Sequence, residues 1–150
     1  MEFDNAATLV VGSAGGASFD STFLNALPGL NSIGSLVEDG GTIIYLAECA
    51  KGLGLPPLKE GKDKLRQALR RFVLGRVSEV SNKARVRLVS ALPDYYVQKI
   101  LKFKPCKAGS SALKSIRRIL KNEARMFVVP LASRVVPTRS GTGLDKNGEQ

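Results

Sequence analysis

Four short, mainly apolar runs, rich in β-branched residues and each leading into a loop or turn, constrain this chain most. Each is long enough for a buried strand and too short for a helix. Ala6-Ala7-Thr8-Leu9-Val10-Val11 enters Gly12-Ser13-Ala14-Gly15-Gly16, and Thr42-Ile43-Ile44-Tyr45-Leu46-Ala47 enters Glu48-Cys49-Ala50-Lys51-Gly52-Leu53-Gly54. Ala84 to Ser90 and Arg125 to Val129 follow, the last ending at Pro130, and Phe103 to Cys106 adds a short extra strand. Helical spacing fills the intervals. Leu27, Leu30, Ile33 and Val37 recur within Phe19 to Val37, and Leu113, Ile116, Ile119 and Leu120 mark a helix from Ser110 to Asn122. Leu65, Leu69, Phe72, Val73, Val77 and Val80 form one stripe from Lys62 to about Val80, with Lys62, Arg66, Arg70 and Arg71 largely off it. Leu92-Pro93-Asp94 opens a further helix to about Leu101. Strand and helix in alternation predict an α/β fold: a three-layer sandwich with a mainly parallel sheet of four to five strands and helices on both faces.

Glycine and proline mark the places where this rhythm is strained. Pro28 lacks an N–H and clashes with the preceding turn, so it predicts either a kink or two short helices, the second with Pro28 in its first turn. Asp39-Gly40-Gly41 closes that segment, Gly75 is a candidate break in the basic helix, and Pro56-Pro57 forces a turn. The 150 residues suit one domain, expected over 1–137, with a disordered tail over 138–150.

Composition narrows the chemistry. There is no histidine, which removes the commonest general base and the commonest transition-metal ligand. Cys49 and Cys106 make no Cys-x-x-Cys pair and read as free thiols of a reducing compartment, so a cytoplasmic location is expected. The acidic start and the absence of a long apolar run argue against a signal peptide and against a membrane partner. Charge is uneven: the net +10 divides into −5 over residues 1–58 and +15 over residues 59–150. A basic half attracts anions, nucleic acid among them, but no aromatic residues interleave with it in a stacking pattern, which favours a solvated surface.

In parallel sheets ligands sit beyond the carboxyl ends of the strands, which gathers Gly12 to Asp20, Glu48 to Gly54, Ser90 to Pro93 and Pro130 to Pro137 on one rim. The glycine loop serves either as an anion cradle or as the tight turn that any strand-to-helix connection needs. Asp20 either caps the next helix or anchors a ligand hydroxyl. Cys49 without a histidine is a nucleophile only where Lys51 or a helix terminus lowers its pKa, and is otherwise structural. Glu48 has no second carboxylate close in sequence and does not define an acid/base pair.

Ser13-Ala14-Gly15-Gly16 with Asp20, then Asp39-Gly40-Gly41-Thr42-Ile43-Ile44 running into Glu48-Cys49-Ala50-Lys51-Gly52-Leu53-Gly54, resemble the C-terminal domain of the lactate racemase family. Val89-Ser90-Ala91-Leu92-Pro93 and the stretch from Val128-Val129-Pro130 to Val136-Pro137 are similar to its later landmarks. The resemblance implies a two-domain isomerase in which a nickel-pincer nucleotide takes a hydride from a 2-hydroxy acid and returns it to either face. The cofactor's lysine attachment, its histidine ligand and the catalytic histidines belong to the N-terminal domain, so this chain alone is expected to bind no cofactor and to carry no catalytic residue. A partner domain of the N-terminal type is implied. The substrate-binding residues expected on this lobe are Ser13, Gly15, Gly16, Asp20, Asn25 and Glu48. Asn25 stands where the family has glutamine, and Pro28 where it has the lysine that holds the substrate carboxylate. The expected function is therefore one wall of a cleft for a 2-hydroxy acid or related carboxylate, inactive alone. The alternative is a binding module whose basic residues, Lys62, Arg66, Arg70, Arg71, Lys114, Arg117, Arg118 and Lys121, engage nucleic acid or a phosphorylated ligand.

Overall fold

A computed structural model describes residues 2–55, 64–117 and 124–139. The strands are β1 (Glu2–Phe3), β2 (Ala7–Ser13), β3 (Val37–Leu46), β4 (Arg85–Val89), β5 (Lys104–Cys106), β6 (Met126–Val129) and β7 (Thr138–Arg139). The α-helices are α1 (Ala17–Asp20), α2 (Phe23–Gly34), α3 (Lys64–Lys83) and α4 (Gly109–Arg117), with a π-helical turn at Tyr96–Ile100 and a 3-10 turn at Ala132–Arg134. Five strands form one all-parallel sheet in the order β5-β4-β3-β2-β6. This is the three-layer α/β fold that the alternation of runs predicts.

Side-chain alternation along the central strands builds a core on each face of the sheet. Val10, Ile43, Tyr45, Val86 and Leu88 face α2, α3 and the π-helical turn, where Phe23, Leu27, Leu30, Ile33, Val73, Val77 and Val97 are buried. Leu9 and Ile44 face the other way, against Ala112 and Ile116 of α4. Gly34 lets Val80 of α3 come close to α2, and the Lys83 ammonium donates to the Gly34 carbonyl at 3.0 Å, closing the end of that helix with a cation.

Several expectations are corrected here. The break between α1 and α2 is set by Thr22, whose hydroxyl accepts the Asn25 N–H at 3.3 Å as an N-cap. Pro28 therefore lies inside α2 rather than in its first turn, on the exposed side. Val37 belongs to β3, which starts well before Thr42. The residues between Val37 and Thr42 are taken up as a bulge against Ala7 and Leu9, with Gly40 at φ +79°. Thr138 and Arg139, at the start of the expected tail, pair in parallel with Glu2 and Phe3; residues 140–150 lie outside the described residues.

The basic helix departs most from its pattern. Only Val73, Val77 and Val80 of the expected stripe are buried, while Leu65 is 79% and Phe72 65% exposed, because α3 meets α2 and the sheet through its C-terminal half. It runs unbroken through Gly75, where an added Cβ would meet nothing within 4 Å. Gly75→Ala is therefore expected to stabilise the protein by about 0.5–1 kcal/mol, the helix propensity difference alone. A urea midpoint unchanged or lowered by this substitution would contradict the continuous helix.

Candidate functional site

The strand order reverses at β2: β3, β4 and β5 lie to one side and β6 to the other. Such a reversal is where open parallel sheets bind ligands, at the carboxyl ends of the strands. Three of the expected segments are tied together there by backbone hydrogen bonds. Ala14 N–H donates to the Leu46 carbonyl (3.0 Å), Ala47 N–H to Val89 (3.0 Å) and Ala91 N–H to Glu48 (2.7 Å). The loop after β6 joins them through side chains: a Cβ on Gly15 would lie 3.1 Å from Leu131 and 3.3 Å from Phe19.

Gly15 and Gly16 take φ of +113° and +92°, a region open to glycine and costly for other residues. Space is tight at Gly15 and open at Gly16, where nothing lies within 4 Å of an added Cβ. The Ser13 hydroxyl accepts the Gly15 N–H at 3.3 Å and so shapes the turn. All three residues end β2 or the loop leaving it.

Asp20 closes α1 and is only 6% exposed. Its Oδ2 accepts the Glu48 N–H at 3.2 Å, its carbonyl accepts the Cys49 N–H at 2.7 Å, and Oδ1 has no protein partner among the described residues. The carboxylate thus clasps the loop after β3, a long-range tie rather than a helix cap. Glu48 itself is exposed. Asn25, on the first turn of α2, is also exposed, and its amide nitrogen donates to Ser21 Oγ at 2.9 Å.

Cys49 is 1% exposed and takes φ +54°, strained for a residue with a Cβ. Burial pushes its thiol up to about 12, and the Asp20 and Glu48 carboxylates push the same way. A neutral thiol out of reach of solvent is no nucleophile, so Cys49 belongs to the packing. Among the described residues no group of three or more His, Cys, Asp or Glu side chains is placed to hold a metal ion, and no helix is long and apolar enough to cross a membrane.

Two contributors to this region carry no sequence signal of their own. Tyr45, at the end of β3, sends its buried hydroxyl to the Ala26 carbonyl at 2.6 Å, and burial holds that hydroxyl well above its usual range. Arg134, in the 3-10 turn after β6, lies with its guanidinium carbon 5.1 Å from the centroid of the Phe19 ring. The expected rim includes residues 130–137, yet only the packing of that loop against the glycine loop distinguishes Arg134 from the other arginines.

Among the solved structures, the lactate racemase apoprotein of Thermoanaerobacterium thermosaccharolyticum superposes on 90% of this chain with a TM-score of 0.70 and 25% sequence identity. The chain resembles part of lactate racemase. It covers 36% of that racemase's chain, so the likeness is to a portion of the racemase and not to the whole. No protein-family model matches the sequence, and no curated protein matches it. The racemase likeness accords with the motifs running from Ser13 through Gly54.

The basic residues do not converge. Arg66, Arg70 and Arg71 lie on α3, and Lys114 and Arg117 on α4, across the sheet; Lys62, Arg118 and Lys121 lie outside the described residues.

Proposed function

We propose that this chain is a lactate-racemase-like C-terminal lobe that forms one wall of a cleft for a 2-hydroxy acid, the other wall being a domain of the racemase N-terminal type. The observation that carries the reading is the superposition of nearly the whole chain on about a third of a lactate racemase. Ser13, Gly15, Gly16, Asp20, Asn25 and Glu48 are the residues this wall would offer. Ser13 and Glu48 bring hydrogen-bonding groups to adjacent strand ends, Asp20 holds the loop that carries Glu48, and the two glycines keep backbone accessible beside them.

The nickel-pincer nucleotide does not fit this chain's own residues. There is no histidine, and the Cys49 thiol is buried, neutral and 1% exposed. Nickel and the hydride chemistry would be supplied by the partner domain, and this lobe would bind and orient the acid and exclude water. The nucleic-acid alternative needs one continuous basic face. The separation of α3 and α4 by the sheet gives it no support.

The purified chain is expected to leave the enantiomers of lactate unchanged. Material recovered with the tagged chain from its source cells is expected to contain nickel and to racemise a 2-hydroxy acid, read by chiral chromatography. Racemisation by the chain alone, or recovery of nickel-free and inert material, would overturn the proposal.

A further inference from the structure

Resting on the reading of this rim as one wall of a carboxylic-acid cleft, we infer that Arg134 is its carboxylate anchor, supplying from the loop after β6 the cation that Pro28 cannot supply from α2. A 2-hydroxy acid bears one full negative charge at neutral pH, and a site that selects it needs a cation or convergent N–H donors aimed at that group. The position on α2 that resembles the family's lysine holds a proline, which has neither charge nor N–H. A cation supplied by this wall therefore comes from another element.

Arg134 meets the requirements of such an anchor. It is exposed, and no carboxylate among the described residues pairs with it. The guanidinium carbon lies 5.1 Å from the centroid of the Phe19 ring, a cation–π contact, and the planar fork of an arginine can meet a carboxylate with two N–H donors. Phe19 belongs to α1, which starts directly after Gly16, and its ring would lie 3.3 Å from a Cβ on Gly15, so the ring that the cation meets borders the glycine loop.

Charge along the rim is ordered as well. Arg134 follows β6 on one side of β2, and Glu48 follows β3 on the other, with Ser13 ending β2 between them. An acid whose carboxylate meets Arg134 thus turns its hydroxyl towards Ser13 and keeps its negative charge away from Glu48.

The test is a titration of the full chain with lactate, propionate and lactamide, followed by NMR at the Gly15 and Gly16 amides and the Arg134 Nε–H. Lactate is expected to shift these signals and lactamide to leave them in place. Arg134→Gln is expected to weaken lactate binding by about tenfold or more, with Arg134→Lys intermediate because it keeps charge but loses the fork. Lactate shifts that persist in Arg134→Gln, equal binding of lactamide, or no shift at any lactate concentration would each overturn the assignment. Propionate binding as tightly as lactate would keep Arg134 as a carboxylate anchor while removing the 2-hydroxy-acid reading. An unchanged amide spectrum away from the rim verifies that each variant is folded.

Discussion

Gly29→Ala is expected to destabilise this protein by about 3 kcal/mol, at the upper end of what overpacking a filled core costs. An added Cβ would lie 2.5 Å from the Tyr45 hydroxyl, 2.8 Å from Ser133 Oγ and 3.0 Å from the Ser133 backbone nitrogen. None of these can yield cheaply. Tyr45 is anchored on β3 with its hydroxyl on the Ala26 carbonyl, and Ser133 belongs to the turn that presents Arg134. For a chain of this size the loss corresponds to a drop in Tm of roughly 6–12 °C. The same substitution at Gly75, also within a helix, has the opposite expected sign. Helix propensity acts equally on both, so the contrast isolates the packing of α2 against the loop after β6. A thermal midpoint for Gly29→Ala at or above that of the parent protein would show that this contact is not tight. Where the variant remains folded, displacement of Ser133 should also weaken any carboxylate binding at Arg134.

Cys49 should resist alkylation in the folded protein and should make stability fall steeply at alkaline pH. Its thiol, ordinarily near 9.0, is raised to about 12, first by burial and then by the Asp20 and Glu48 carboxylates. Three units correspond to about a thousandfold less thiolate at neutral pH. Iodoacetamide at pH 8 should therefore label the half-buried Cys106 and spare Cys49 until the chain is unfolded, as read by peptide mass. The sign of the pH effect follows from the same shift. The fold favours the neutral thiol, so this contribution is fully present below about pH 9. It is lost as pH rises towards 12, at about 1.4 kcal/mol per unit. The urea midpoints of the parent protein and Cys49→Ala should differ by a constant amount below about pH 8 and draw together as pH rises above 9. Equal labelling of Cys49 and Cys106 in the folded state would show an accessible thiolate and restore Cys49 as a candidate nucleophile.

How far the sequence reveals the structure varies by element. The central strands are legible because Leu9-Val10 and Ile43-Ile44 are buried, each pair with one side chain on either face, and such strands need continuous apolar runs rich in β-branched residues. The glycine loop is equally legible, since positive φ at Gly15 and Gly16 leaves little choice of residue. The apolar stripe of α3 misleads at Leu65, Leu69 and Phe72. Periodicity states which residues share a face, but not whether another element reaches that face. Pro28 misleads for a related reason. Its place in α2 follows from where Thr22 caps the helix, and proline is tolerated on the exposed side of an otherwise buried helix.

At the rim the division is clearer still. Local sequence determined the α/β architecture, the turn at Gly15-Gly16 and the lack of histidine chemistry, because each depends on a residue and its immediate neighbours. Tertiary structure alone decided that Asp20 clasps the Glu48 N–H across 28 residues, that burial keeps Cys49 neutral, and that Arg134 lies over Phe19. Those three outcomes depend on distances and dielectric set by chain segments far apart in sequence, which no local pattern encodes.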